Sequence, residues 1–293
     1  FIENWLECAK TAACIAKAFN ESVQKPHAGV DMLFEQHRQA RKFSCVVMEN
    51  KVEALKVETS IVLTDWQRSE GELCQLHDAC VLTGSHKTQG CLTPQLGRLR
   101  QNKLKYCTQH GYAYIEETFG FHKNSPCHRV WNKIHAILKY LADCKLLFWV
   151  DTDAVFVDMD KTLESFFDAY PGKEFLVSWP LVDKTLNAGV LLVRNTPAVH
   201  DFFLNVTNGK AWKDDWCSRD KFEQAAINDQ FNSGTMDGKY VIERNNLLQT
   251  LCSFYNKECV VSQKDFIAHF APPNCPALKD LVQKFLDKNP QYI

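Results

Sequence analysis

From Ala79 onward, short apolar runs alternate with stretches of helical period. Residues 79–85, Ala-Cys-Val-Leu-Thr-Gly-Ser, read as a strand running into a turn. Residues 92–110 predict a helix with a basic face of Arg98, Arg100, Lys103 and Lys105, and Gly111 follows as its stop. Residues 112–116 read as a second strand. Residues 129–144 are amphipathic, with Val130, Ile134, Ile137, Leu138 and Leu141 on one face. Residues 146–150, Leu-Leu-Phe-Trp-Val, are apolar without interruption, as a central strand buried on both faces requires. Further strands are expected over 175–179, 189–193, 240–243 and 266–270, and helices over 221–231 and 276–287. Strand alternating with helix predicts an α/β fold with a mainly parallel sheet flanked by helices.

Residues 1–75 read differently. Leu6, Ala9, Ala13 and Ala16 lie at helical spacing, Pro26 closes that segment, and 37–42 is polar and basic. The expectation is a helical N-terminal extension or stem over 1–75 and a catalytic domain over 76–293. The first residue is Phe1, which reads as a processed or trimmed product.

Composition narrows the picture. Apolar residues make up 45% of the 293 and charged residues 24%, an ordinary globular balance that excludes collagen, coiled coil and disorder. The 34 basic and 35 acidic residues leave a net charge of −1, which argues against a nucleic-acid partner held by bulk charge. No apolar run reaches the roughly 18 residues of a membrane span, so any membrane contact is expected through a segment absent from this chain. Thirteen cysteines with no CxxC pair disfavour a zinc ribbon. With the triplets Asn20-Glu21-Ser22 and Asn205-Val206-Thr207, they point to disulfides, a glycoprotein and an oxidising, secretory compartment.

The chemistry concentrates after the apolar run. Asp151-Thr152-Asp153 puts two carboxylates at the C-terminal end of a buried strand, where open α/β sheets bind ligands. In extended chain, residues i and i+2 point the same way, so one divalent cation could meet both. Hard oxygen donors suit Mg²⁺ or Mn²⁺ and the phosphates such ions hold. Asp158 and Asp160 read as solvated. A bare Asp-x-Asp is more often an acidic turn, and its place after five apolar residues is what favours the metal.

An ordered set of blocks resembles glycosyltransferase family 34. The blocks are Val81-Leu82-Thr83-Gly84-Ser85; Cys91; Asn102-Lys103, Tyr106-Cys107 and His110-Gly111-Tyr112; Trp131-Asn132-Lys133; Asp151-Thr152-Asp153-Ala154; residues 186–195 around Asn187-Ala188-Gly189; Asn228-Asp229-Gln230; and Ala268-His269-Phe270. The resemblance implies a GT-A fold, a sugar-nucleotide donor (UDP-galactose, UDP-xylose or GDP-mannose), Mn²⁺ or Mg²⁺, and transfer to a glycan, glycoprotein or peptide acceptor with retention of anomeric configuration. It implies a Golgi lumenal setting, with oligomers or complexes with other glycosyltransferases as potential partners.

It also assigns roles. Asp153 is the direct metal ligand, Asp151 a metal or donor contact, and His269 the third metal contact. A neutral imidazole is needed to coordinate, so acid should weaken the metal. Thr83 and Gly84 lie where the base and ribose are expected, and Lys133 neutralises phosphate. Lys103 or Arg100 could do the same, although exposed helical cations of this kind read first as solvated. Asn187 faces the transferred sugar, and Asp229 and Gln230 lie nearest the reacting carbon. Retention could use a covalent intermediate on Asp229, or attack from the leaving-group face with Asp229 and Gln230 stabilising oxocarbenium-like charge; the second is favoured. Two departures stand out. Plant members carry a lysine soon after the metal-binding His, whereas 271–275 here is Ala-Pro-Pro-Asn-Cys, leaving Lys279 as the nearest candidate. Ala188 replaces their Thr. Two alternatives remain: a non-catalytic subunit that binds sugar nucleotide, and a nucleotidyltransferase or sugar-nucleotide hydrolase on a similar sheet.

Overall fold

The computed structural model describes residues 76–85, 92–118, 129–179, 186–208, 222–243, 248–253, 259–262, 264–271 and 274–293. The expected extension over 1–75 lies outside them. A six-stranded sheet runs in the order β2-β1-β3-β6-β5-β7. Its strands are β1 (His77–Ser85), β2 (Ala113–Thr118), β3 (Cys144–Val150), β5 (Phe175–Ser178), β6 (Val190–Arg194) and β7 (Tyr240–Glu243). β1 pairs in parallel with β2 and β3, and β5 with β7, while β6 is antiparallel to both its neighbours, β3 and β5. The sheet is thus mainly parallel with one reversed strand. That reversal places the start of β6 beside the end of β3.

Helices cover both faces, as the uninterrupted apolar run of β3 demands. On one side Leu147 and Trp149 of β3 meet α2 (Asn132–Tyr140), α4 (Pro197–Asn208) and α5 (Phe222–Asn232) through Ile134, Phe202, Phe203 and Phe231. On the other, Phe148 and Val150 meet Tyr106 of α1 (Leu96–His110) and Phe166 and Phe167 of α3 (Leu163–Ala169). Full burial of such a side chain contributes about 1.5–3 kcal/mol. Gly111 ends α1 with φ 70°, a left-handed angle that glycine adopts without steric cost. The amphipathic segment 129–144 divides into a 3₁₀ turn, α2 and a second 3₁₀ turn before β3 begins at Cys144.

A second sheet, β4 (Ala154–Phe156), β9 (Ile267–Ala271) and β8 (Thr250–Ser253), is packed by α6 (Cys275–Lys288). β4 is its edge, and Asn102 of α1 covers that edge. The Asn102 amide accepts from Phe156 N (2.8 Å) and donates to Phe156 O (2.9 Å), satisfying both backbone groups. The register sets Ala154 opposite His269. The turn after β3 is therefore held beside a residue more than one hundred positions away.

Disulfides join Cys80 to Cys144, stapling β1 to β3 at their starts, and Cys252 to Cys259. Cys107 is a buried free thiol that burial pushes up to about 12. Among the described residues no helix is long and apolar enough to cross a membrane. Asn205 is exposed on α4, but Thr207 of the same triplet is buried and donates to the Leu204 carbonyl.

Candidate active site

The strand β3 delivers Asp151 and Asp153 into a turn that is tied on every side. Asp151 N donates to Gly189 O at the mouth of β6 (2.8 Å), and Phe270 N of β9 donates to Asp153 O (3.1 Å). The Thr152 hydroxyl donates to the Gly84 carbonyl at the end of β1. Lys103, 1% exposed, donates from below to Thr152 O (3.2 Å) and Ala154 O (2.7 Å). The expectation that Lys103 is a solvated cation is corrected here. Burial pulls its ammonium down to about 8, against the opposing pull of Asp153 and Asp151.

The two carboxylates differ in their engagements. Asp151 accepts from Trp149 Nε1 (2.6 Å) and pairs with Lys133 Nζ (3.2 Å). Asp153 has His269 Nε2 at 3.5 Å, and Asp151 has the same nitrogen at 3.8 Å. These spacings are long for hydrogen bonds. The ligand atoms of Asp151, Asp153 and His269 all lie within 4.8 Å of one another.

His269 is buried, and its tautomer follows from its neighbour. Gln249 Nε2 donates to Asn187 O (3.1 Å), which turns Gln249 Oε1 towards His269 Nδ1 at 2.6 Å. An amide oxygen only accepts, so in the neutral ring Nδ1 carries the proton and Nε2 aims a lone pair at the carboxylates. Gly189 gives the ring its room, since a Cβ there would lie 2.1 Å from His269 Cε1. Asn187 Oδ1 accepts from Gly189 N (2.9 Å) and so shapes that turn. The donor set of two carboxylates and one unprotonated imidazole nitrogen fits a divalent cation, with the outer-shell bond that ligating histidines usually have.

Lys133 of α2 is buried and bridges Asp151 and Glu223 Oε1 (3.0 Å), with a third bond to Ala188 O (2.8 Å). Burial depresses its ammonium, but Asp151 and Glu223 more than offset this and raise it to about 12. Glu223 and Gln224 open α5, and Gln224 Oε1 accepts from Ala188 N (3.0 Å). Phe222, just before them, holds a left-handed φ of 39°, a sparsely populated angle for an aromatic residue.

Asp229 and Gln230 are not brought into this cluster. Six residues past Glu223 on one helix means about 9 Å of rise and a turn of about 120° away from its face for Asp229. Asp229 is exposed, and Gln230 donates to Thr235 Oγ1 (2.5 Å) and Ser233 Oγ (3.3 Å). Glu223 and Gln224 carry the same acid–amide order, and that order was the signal available for finding them. Lys279 is exposed on α6. Asp160 accepts from Gln109, and Asp158 accepts from Asp160 N.

Beside the turn, Thr83, Leu99, Arg100, Lys103, Glu116 and Thr152 line a small cavity. Arg100 grips Glu116 through two bonds, 2.5 and 2.8 Å. Thr83 is 3% exposed, and its hydroxyl has no hydrogen-bond partner among the described residues.

An open α/β sheet with this Asp-x-Asp turn, a reversed strand beside it and a small second sheet is the GT-A glycosyltransferase fold. A solved glycosyltransferase involved in glycosylation of the major capsid of PBCV-1 superposes with a TM-score of 0.52 at 15% identity, over 70% of this chain and 98% of that one. Residues 75–169 match the family model of the galactosyl transferase GMA12/MNN10 family, so that segment is similar to glycosyltransferase family 34. Probable glycosyltransferase 7 of Oryza sativa subsp. indica is 32% identical over 153 residues, 47% of this chain and 33% of that protein. Galactomannan galactosyltransferase 1 of Cyamopsis tetragonoloba is 31% identical over 130 residues, 40% of this chain and 29% of that protein. The match spans about a third of these relatives' length. The family segment includes Thr83, Lys103, Lys133 and both aspartates, and ends before Gly189, Glu223, Gln249 and His269.

The outer-shell arrangement generates a test. Gln249→Leu should weaken Mn²⁺ about 10–100-fold, and Gly189→Ala, which drives a methyl into the imidazole, should weaken it at least as much. Calorimetric titration checks both. Unchanged affinity in the two variants would remove His269 from the metal site.

Proposed function

We propose that this chain is a metal-dependent, retaining glycosyltransferase. It would move a hexose or pentose from a sugar nucleotide to a glycan or glycoprotein acceptor, in the Golgi lumen. UDP-galactose leads as donor, given the relative named as a galactosyltransferase, ahead of UDP-xylose and GDP-mannose. The observation that carries this reading is His269 Nε2 lying 3.8 and 3.5 Å from the Asp151 and Asp153 carboxylates, with Nδ1 against the Gln249 amide oxygen.

Asp153 and His269 are the residues to hold the cation, with Asp151 shared between it and the donor, because Asp151 is already engaged by Trp149 and Lys133. An imidazole in the donor set favours Mn²⁺ over Mg²⁺, which prefers all-oxygen surroundings. When bound, the ion supplies Lewis-acid neutralisation of the departing diphosphate. Lys133 stays protonated and fixes the Asp151 and Glu223 carboxylates. Glu223 takes the role the sequence suggested for Asp229. Held through the same ammonium as Asp151, it would stabilise positive charge at the anomeric carbon, while the acceptor attacks from the leaving-group face. Gln224 fixes the Ala188–Gly189 backbone. A second reading, a binding subunit without turnover, rests on the absence of a basic residue from Ala271 to Cys275.

Calorimetry with UDP- and GDP-sugars, with and without Mn²⁺, tests the class. A donor should bind only with the metal, and Asp153→Ala should abolish that binding in a folded protein; metal-independent binding would contradict the reading. Turnover separates the two acids. Glu223→Gln should lower kcat by on the order of 100-fold or more, with donor affinity nearly unchanged, and Asp229→Asn should stay near wild type. The reverse ranking would return the role to Asp229.

A further inference from the structure

We propose that Lys103 is a positioning residue that couples the small cavity beside the Asp-x-Asp turn, which one oxygen of the donor's nucleoside enters, to the geometry of the metal ligands. The inference rests on the functional reading above and adds a link between two parts of the site.

Three observations converge on it. Lys103 Nζ holds the carbonyls of Thr152 and Ala154, the residues on either side of Asp153. An ammonium has three donors, and these bonds use two of them. The third has no hydrogen-bond partner among the described residues. Next, Lys103 and Thr152 both line the cavity, so the same side chains face the nucleoside and brace the turn. Finally, the Thr83 hydroxyl on that wall is buried without a partner. An unpaired buried polar group costs free energy that a ligand can recover. A spare ammonium donor and an orphan hydroxyl on one wall suit an acceptor oxygen, such as a ribose hydroxyl or a base carbonyl. Glu116, held by Arg100, offers carboxylate oxygens on the same cavity for an O–H or N–H.

The consequence is linkage. A nucleoside that takes the third donor fixes Lys103, and through two carbonyls it fixes the backbone that aims the Asp153 carboxylate. Nucleoside and metal should therefore each strengthen the other's binding, by the same factor. A purely structural lysine would stabilise the turn without making metal affinity depend on the cavity.

The test uses uridine and guanosine, which lack phosphates and so cannot bridge to the metal directly. Mn²⁺ affinity of the 293-residue chain is measured by electron paramagnetic resonance with and without each saturating nucleoside. In wild type, one nucleoside should tighten Mn²⁺ at least about fivefold. In Lys103→Met, Mn²⁺ should still bind, more weakly, and the ratio should fall to one. An unchanged ratio in Lys103→Met, or a ratio of one in wild type with both nucleosides, overturns the proposal. Should Lys103→Met fail to fold, Thr83→Val, which keeps the shape and removes the orphan hydroxyl, decides in its place: loss of the nucleoside effect supports the coupling and its retention overturns it. Wild type that binds no Mn²⁺ would overturn the metal reading and this inference together. Wild type that binds Mn²⁺ and nucleoside independently would sink only the coupling.

Discussion

A histidine can offer a lone pair to a cation between two carboxylates only if its other nitrogen carries the proton. Here that condition is enforced by an amide with no freedom to turn. Gln249 spends its NH₂ on the Asn187 carbonyl and so must present oxygen to His269 Nδ1. The rest of the site follows from keeping this ring in place. Gly189 lacks the side chain that would collide with it. The antiparallel register of β4 and β9 sets it opposite Ala154, next to the aspartates. The reversal of β6 brings Gly189 and Asn187 to the end of β3. Each of these is a backbone fact, so the Asp151–Asp153–His269 cluster is built by topology as much as by side chains.

The charge balance is equally constrained. Asp151, Asp153 and Glu223 are opposed by two buried ammoniums, Lys133 and Lys103, leaving the cluster one negative charge in excess when His269 is neutral. Burying ions is costly unless each is paired and hydrogen-bonded. Lys133 meets the condition with two carboxylates and a carbonyl. Lys103 meets it only in part, with two carbonyls and no contacting carboxylate among the described residues, and its lowered ammonium reflects that. A cation beside Asp153 would complete the balance.

Much of this was legible in the sequence. The apolar run 146–150 announces a central strand, and the two aspartates directly after it fall at the C-terminal end of that strand. Gly111 marked the end of α1. The short elements escaped. β4 has three residues directly after the turn, too few for any period, and β8 has four. α3 and α4 are rich in phenylalanine, which reads equally well as strand or core. Lys103 reads as solvated from its charge, whereas its position in the helix says otherwise. Leu99, Asn102, Lys103 and Tyr106 follow the i, i+3, i+4, i+7 pattern of a buried stripe, and all four are buried. Glu223 and Gln224 do not stand out in the sequence, because the later Asp229-Gln230 has the same acid–amide order and fits the expected letters better. Only the pairing with Lys133, ninety residues away, distinguishes the two.

The most direct measurement is anomalous diffraction at the manganese edge from crystals grown with Mn²⁺ and UDP. The account predicts one strong peak bonded to His269 Nε2 and an Asp153 oxygen, within reach of Asp151 and the diphosphate. A peak elsewhere, or none with UDP bound, would contradict it.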